Sequence, residues 1–187
     1  NYGALDLGGI LAKSSNVGAS RIALAMPAEH LWAVLRDYGF GEMTASGFPG
    51  ERGGTLRHFQ DWRPIDHATV AYGYGLSTTA LQLANAYAVI GNGGERRPVS
   101  FFTAKQLPPA HRVISASTAV EVSRMLERVG REGTATAAAI PGYRVAGKTG
   151  TARKSGIGGY AERRYQAVFA GYVPASRPRL VAVVVID

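Results

Sequence analysis

The sequence has no cysteine among its 187 residues. This absence excludes disulfides, cysteine-based zinc sites and a thiol nucleophile, although it leaves the cellular compartment open. Long apolar runs are also missing, since no stretch of about 18 uncharged apolar residues occurs. The first residues show no basic region followed by an apolar one. We therefore expect neither a membrane span nor a signal peptide within this segment.

Lysine is scarce, although the chain is basic. There are 21 Lys and Arg residues against 13 Asp and Glu, for a formal net charge of +8, and lysine occupies only positions 13, 105, 148 and 154. The cations are dispersed and do not interleave with aromatics along one stretch, which argues against a nucleic-acid partner. A solvated basic surface explains the charge, and a basic cleft that attracts a substrate carboxylate explains it equally well.

The composition is that of a globular protein, and the length allows one domain or a piece of one. Hydrophobic residues make up 46% and charged residues 18%, so burial can offset the loss of chain entropy. Apolar residues at helical spacing, with glycine and proline as boundaries, predict helices in the first two thirds of the chain. They are expected at residues 14–26, at 27–38, from Ser77 or Thr78 to Gly91, and from a capping box of Thr118 and Glu121 to about Gly133, with a long loop at 39–54.

The last third has the composition of β-strands. Three are predicted, at residues 144–151, 165–173 and 180–186, and the short connections favour antiparallel pairing. The third strand is apolar at every position, so we expect it to be central in the sheet, with helices on both sides.

One motif in this region suggests nucleotide binding. Residues 142–149 match the phosphate-loop pattern G-x-x-x-x-G-K-[ST]. Such a loop must follow a strand and begin a helix, because the phosphates rest on N–H groups at the helix N-terminus. Here Pro141 precedes the motif, and glycines at 150, 156, 158 and 159 follow it. A P-loop nucleotide-binding protein therefore remains an alternative that lacks its structural context.

A second interpretation uses the same lysine. Lys148, Thr149 and Gly150 form the K-T-G element of penicillin-binding proteins and class A β-lactamases, and Ser14-Ser15-Asn16 matches their S-x-N element. Each tripeptide alone is weak. The first could be any exposed strand end, and the second a plain helix N-cap.

Several further segments occur in the same order as in one family. They are residues 37–41 (DYGFG), 48–51 (FPGE), 72–77 (YGYGLS), 81–87 (LQLANAY), 91–94 (GNGG) and 147–152 (GKTGTA). With these segments the chain resembles the C-terminal part of a class B penicillin-binding protein transpeptidase domain, most closely the septal, cell-division type. The resemblance implies an α/β fold of the α+β type, with a central antiparallel sheet flanked by helices, of which residues 1–187 form one incomplete part.

The activity that the resemblance implies is a serine-type D,D-transpeptidase that cross-links peptidoglycan stem peptides during septum formation and is acylated by β-lactams. The family's nucleophile is the serine of an S-x-x-K motif, and no serine here has a lysine three positions later. We therefore expect this element on an N-terminal part of the same domain or on a separate chain, so the chain alone is expected to be inactive. A catalytically inert penicillin-binding fragment is the corresponding alternative.

The resemblance also implies a cellular location and a set of binding partners. The expected location is the periplasmic face of the cytoplasmic membrane, with the anchor outside this segment, and the expected partners are stem peptides, β-lactams and divisome membrane proteins. No cofactor is implied. The four histidines show no ligand spacing, so no metal is assigned. Glu51 lies in a Phe-Pro-Gly-Glu segment that resembles transpeptidases, which makes a class A-like β-lactamase less favoured.

Roles for individual residues follow from the same resemblance. Ser14 belongs to the proton relay around the leaving amine, and Asn16 binds the amide of the donor peptide. Lys148 is expected to face Ser14 across the cleft and to favour the substrate carboxylate, to which Thr149 and Thr151 offer hydroxyl donors.

The remaining candidates lie on or beside the same strand. Gly150 lets a substrate backbone approach closely, and the N–H of Thr151 matches one half of the family's oxyanion hole. Arg153 is either a second cation for the carboxylate or a solvent-facing arginine. Tyr74 is either a cleft wall or a core tyrosine.

Overall fold

The computed structural model describes residues 2–103, 106, 108–156 and 159–187, and it describes only the backbone of residues 154–156 and 159–163. Helices occupy the first two thirds of the chain and the longest strands the last third. The helices are α1 Leu7–Ala12, α2 Asn16–Leu24, α3 Ala28–Asp37, α4 Pro64–Val70, α5 Ala80–Gly91 and α6 Ala116–Glu132, with 3-10 turns at Phe59–Asp61 and Thr136–Ala138. The strands are β1 Thr55–Leu56, β2 Leu76–Ser77, β3 Glu95–Arg96, β4 His111–Arg112, β5 Ala146–Gly156, β6 Gly159–Val173 and β7 Leu180–Ile186.

The long helices α5 and α6 are close to their predicted positions, but one start differs. Helix α5 begins with a capping box between Thr79 and Gln82. Helix α6 begins at Ala116, because the Ser115 hydroxyl accepts a hydrogen bond from the N–H of Thr118 at 3.0 Å. The predicted capping box of Thr118 and Glu121 is therefore wrong, since the cap that forms lies one turn earlier.

The loop at residues 39–54 is held by two polar side chains. Buried Gln82 donates from Nε2 to the carbonyls of Gly39, Glu42 and Gly53 at 3.2, 2.7 and 2.7 Å. The Glu51 carboxylate accepts hydrogen bonds from Thr44 and Ser46, and the bond from the Thr44 hydroxyl lowers the Glu51 pKa most. The loop is thus fixed by side chains instead of by regular secondary structure.

The main sheet is antiparallel in the order β5-β6-β7. Antiparallel pairing is confirmed, and β5 and β6 extend beyond the predicted strands. The prediction that Leu180–Ile186 is central is contradicted within this chain, because β6 pairs on both sides and β7 lies at an edge. Apolar character on both faces indicated burial, but it did not indicate strand order, which the successive hairpin connections determine.

The register divides the sheet into two faces, because side chains of directly paired residues point the same way. We call the face that α5 and α6 pack against the covered face. It includes Ala146, Ala170 and Tyr172, which are 0, 3 and 2% exposed. Ala146 and Tyr172 pack with Leu126 of α6 in the hydrophobic core.

The opposite face, here called the open face, carries the alternate residues. Pairing of Thr149 with Phe169 and of Phe169 with Val184 places these three side chains on it. Val184 and Ile186 are 50 and 65% exposed. The expected helices on both sides of the sheet are therefore found on one face only, within the described part of the chain. Among the described residues, no helix is both long and apolar enough to cross a bilayer.

Candidate active site

The turn between α1 and α2 presents the first two candidate residues. Ser14 adopts a left-handed backbone conformation, with φ of 51°, which turns the chain after α1. Its neighbour Ser15 is the N-cap of α2, because its hydroxyl accepts from the N–H of Gly18 at 3.1 Å. The helix cap expected in this tripeptide is thus supplied by its middle residue. Ser14 and Asn16, on either side, line the cleft described below.

Lys148 lies within strand β5, and its ammonium reaches the turn. The distance from Lys148 Nζ to Ser14 Oγ is 3.0 Å, although 134 residues separate them in sequence. The same nitrogen donates to the carbonyl of Thr149 at 2.8 Å and to the hydroxyl of Thr134 at 3.3 Å. Since β5 continues past Lys148 to Gly156, the helix that a phosphate loop requires is not present, and the P-loop interpretation fails.

The surroundings of Lys148 define the electrostatics of the site. An ammonium has three protons and no acceptor, and here it has three oxygen partners. Burial lowers the pKa of Lys148 from its ordinary value of 10.5, because desolvation disfavours the charged form. The contacts restrict the orientation of Lys148, while Ser14 gains a charged donor.

The strand supplies two hydroxyls on the open face. Thr149 Oγ1 donates to Thr134 Oγ1 at 2.7 Å, and Thr151 lies two residues further on the same face. Thr134 was not predicted from the sequence. It follows α6 in a glycine-containing loop and belongs to no recognised tripeptide, so only its tertiary contacts identify it.

A cleft with two lobes joins these residues. The larger lobe has a volume of about 620 Å³ and extends along the open face to Phe169 and Ile186. The smaller lobe, of about 320 Å³, is bounded by Lys148 and Tyr74. Both lobes share five lining residues, which are Ser14, Asn16, Thr149, Gly150 and Thr151.

Tyr74 and Arg153 occupy different positions relative to the cleft. Tyr74 forms a wall of the smaller lobe, and its hydroxyl accepts a hydrogen bond from the backbone N–H of Arg153 at 3.5 Å. The guanidinium of Arg153 lies 5.8 Å from the centre of the Tyr165 ring, and a hydrogen bond with Tyr165 raises the Arg153 pKa most. The structure therefore turns Arg153 toward a tyrosine, and the described cleft lining does not include it.

The cleft is lined by hydroxyl, amide, ammonium and apolar groups. In the part of the chain that the structure describes, no group of three or more His, Cys, Asp or Glu residues is arranged to hold a metal ion. Such a set of groups can orient a carboxylate and donate hydrogen bonds to an acyl oxygen.

The fold and the two facing motifs define a class of protein. Residues 1–187 match the family described as "Penicillin binding protein transpeptidase domain". The chain belongs to this family, which confirms the resemblance drawn from its motifs.

The chain is 46% identical over 187 residues to "Peptidoglycan D,D-transpeptidase FtsI" of Escherichia coli, and 43% identical over 187 residues to "Probable peptidoglycan D,D-transpeptidase PenA" of Neisseria meningitidis. All of this chain is covered in both cases, but only 32% of each relative. The chain therefore spans about a third of the length of these curated relatives.

Solved structures share the fold throughout. The transpeptidase domain of penicillin-binding protein 3 from Burkholderia pseudomallei superposes with a TM-score of 0.95 and 45% identity, over 100% of this chain and 57% of that one. Penicillin-binding protein 3 from Mycobacterium tuberculosis, complexed with aztreonam, gives a TM-score of 0.91 and 34% identity, over 97% of this chain and 45% of that one. The expected α/β fold with an antiparallel sheet is confirmed.

Proposed function

We propose that the complete protein is a serine-type peptidoglycan D,D-transpeptidase, which cross-links stem peptides during septum formation and is acylated by β-lactams. The observation that carries the proposal is the 3.0 Å contact between Lys148 and Ser14, in a cleft lined by residues of both the S-x-N and the K-T-G elements. The names of the two relatives, both of which describe peptidoglycan D,D-transpeptidases, support the same reaction.

The reaction is an acyl transfer. A serine hydroxyl attacks the carbonyl of the donor stem peptide, D-alanine leaves, and the acyl group then passes from the serine to the amine of a second stem peptide. The nucleophile belongs to an S-x-x-K segment outside residues 1–187, on the N-terminal part of the same domain or on a separate chain. The residues of this chain bind the substrate and interact with its charged groups during the reaction.

The anionic end of the substrate meets the K-T-G strand. Lys148 contributes positive charge, and Thr149 and Thr151, which line both lobes, contribute hydroxyl donors, Thr149 by turning its proton from Thr134 to the substrate. Gly150 is exposed and has no side chain, so a substrate backbone can approach the strand there. In this reaction Arg153 can bind the substrate carboxylate only after its guanidinium breaks its contact with Tyr165.

The reacting centre needs an oxyanion donor and a proton path. Because β5 lies at an edge of the described sheet, alternate N–H groups point away from β6, and we assign the N–H of Thr151 to the oxyanion. Removing one such donor typically costs about 3 kcal/mol of barrier. Ser14, oriented by Lys148, relays a proton to the leaving amine, Asn16 holds the donor peptide's amide, and Tyr74 bounds the opposite wall.

The location and partners follow from the proposed reaction. Its substrate is nascent peptidoglycan, so the protein acts at the periplasmic face of the cytoplasmic membrane and works beside divisome membrane proteins. The cleft supplies charge and donors from side chains and backbone, so the proposed steps use no cofactor. With no carboxylate among the described cleft-lining residues to activate water, the acyl-enzyme formed by a β-lactam is long-lived, and a β-lactamase is the less favoured alternative.

The test is the intact mass of the complete protein before and after exposure to a penicillin. We expect a stable adduct of one penicillin, mapped by peptide sequencing to a serine in an S-x-x-K motif outside residues 1–187. An unlabelled S-x-x-K serine in folded protein would contradict the proposal. Rapid loss of the adduct with release of hydrolysed penicillin would favour a β-lactamase instead.

A further inference from the structure

The hydroxyl of Thr134 connects two residues of the K-T-G element. It accepts a hydrogen bond from Thr149 Oγ1 at 2.7 Å and one from Lys148 Nζ at 3.3 Å. A hydroxyl has two acceptor positions and one proton. Both acceptor positions of Thr134 are therefore used by the strand, while its own proton remains available on the wall of the larger lobe, which Thr134 lines.

The loop that carries Thr134 is tightly held on both sides of the residue. The N–H groups of Gly133 and Ala135 both donate to the carbonyl of Val129, at 3.0 and 3.3 Å. Ala135 is only 2% exposed. A Cβ atom at Gly133 would lie 2.6 Å from the carbonyl oxygen of Ala12, so this loop packs against the end of α1 immediately before the Ser14 turn.

Thr134 thereby contacts side chains from both faces of the sheet. Lys148 and Thr149 are consecutive residues of a strand, so their side chains leave it in opposite directions. The ammonium must bend back toward the cleft to act on the same substrate group as the Thr149 hydroxyl. A shared acceptor fixed by a rigid loop is a physical means of holding both groups together.

We propose that Thr134 is a positioning residue, whose hydroxyl holds the Lys148 ammonium and the Thr149 side chain in place to receive the carboxylate of the stem peptide or of a β-lactam. When the carboxylate binds, the Thr149 proton turns from Thr134 to the carboxylate, and Thr134 donates its own available proton to Thr149 Oγ1. This inference rests on the function proposed above and adds a residue to it. Without the hydroxyl, the ammonium loses one of its three oxygen partners, and the Thr149 hydroxyl loses its acceptor and is free to rotate.

Three variants of the complete protein test the hydroxyl itself. Thr134→Val removes it with little change of shape, Thr134→Ser keeps it, and Thr136→Val makes the same change at an exposed threonine two residues away. The measurements are the second-order rate of acylation by a penicillin that carries a carboxylate, and the midpoint of thermal unfolding.

We expect Thr134→Val to slow acylation about tenfold or more, because it removes a hydrogen bond to a charged group and a second one to Thr149. Thr134→Ser restores most of the rate, and Thr136→Val leaves it unchanged. An unaltered rate in Thr134→Val overturns the inference. So does an equal loss of rate in Thr134→Ser and Thr134→Val that follows a lowered unfolding midpoint, because the position then matters only for folding.

A double-mutant cycle with Thr149→Val tests whether Thr134 acts through its neighbour. If it does, the double variant is about as slow as the slower single variant, because the same interaction is removed twice. If the double variant instead loses acylation rate by the product of the two single losses, the two residues act independently, and that result contradicts a positioning role. Failure of the proposed function has a different signature, since the wild-type protein itself then takes up no penicillin, and that result overturns both proposals.

Discussion

The two faces of the sheet differ in how far other parts of the chain cover them. On the covered face, Ala146 and Tyr172 are almost fully buried against α5 and α6. On the open face, Val184 and Ile186 are half or more exposed beside a lobe of about 620 Å³. Strand β5 contributes to both faces at once, with Lys148 on the first and Thr149 on the second. The active-site strand is therefore anchored on one side and left accessible on the other.

The largest expected effect concerns the open face and the edge strand beside it. Residues 1–187 expressed alone are expected to self-associate, because β7 lies at an edge of the sheet in the described part of the chain and exposes Val184, Val185 and Ile186. Analytical ultracentrifugation across a concentration series measures this. A monomer that unfolds cooperatively at all concentrations would contradict it.

A pair of lysine substitutions sharpens this prediction. Val184→Lys places a charge at the edge strand and is expected to reduce self-association, whereas Val120→Lys on α6 changes a valine of nearly equal exposure, 49% against 50%, and should have little effect. Equal effects of the two variants would assign the association to general surface hydrophobicity instead of to the sheet edge.

Lys148 provides the next largest effect, because it belongs to the covered face but acts in the cleft. Lys148→Ala in the complete protein is expected to slow penicillin acylation about 100-fold or more while the protein stays folded, since Ser14 and the carboxylate both lose their cation. Stopped-flow or gel-based acylation assays measure the rate. Lys13→Ala, at an exposed lysine beside the Ser14 turn, is the matched control, and an unchanged rate in Lys148→Ala would remove the role proposed for it.

Elements with strong local patterns could be predicted from the sequence, whereas their arrangement could not. Helices α5 and α6 have apolar residues at helical spacing, and the strands of the main sheet have apolar runs, so both can be recognised from the local sequence. Helix α1 is short and contains two glycines, and α4 begins at a proline after a turn-rich stretch, so their periodicity is weak. The edge position of β7 depends on which strands pair, and the sequence of one strand does not encode that.

The same distinction applies to the site. Ser14, Asn16 and Lys148 could be found because each belongs to a short motif with a known partner motif. The fine geometry could not be predicted, since Ser15 takes the helix cap and Arg153 turns to Tyr165. Thr134 belongs to no motif, and its contact with Lys148 spans 14 residues that include a 3-10 turn. Side chains that act through tertiary contacts leave no local signal.

Core packing gives a moderate effect that separates the two faces directly. Leu126→Ala, at a residue 4% exposed against the covered face, is expected to lower the free energy of unfolding of the complete protein by about 3 kcal/mol. Val184→Ala, at a residue 50% exposed, should cost about 1 kcal/mol or less. Urea denaturation measures both values. Equal costs would show that another part of the complete protein covers the open face as closely as α6 covers its counterpart.

The smallest expected effect is the pH dependence that burial of Lys148 produces. Its pKa is lowered from 10.5 by desolvation, so above the lowered value the folded protein releases a proton that the unfolded chain keeps until about pH 10.5. Stability therefore rises with pH in this interval, because the unfolded state binds more protons than the folded one. The wild type should gain stability relative to Lys148→Met between neutral pH and pH 10.5, measured by urea denaturation of both proteins. A stability that falls with pH in this interval would mean that the oxygens of Ser14 and Thr134 stabilise the ammonium more than burial disfavours it. The covered face of β5 would then be a more polar environment for Lys148 than its burial suggests.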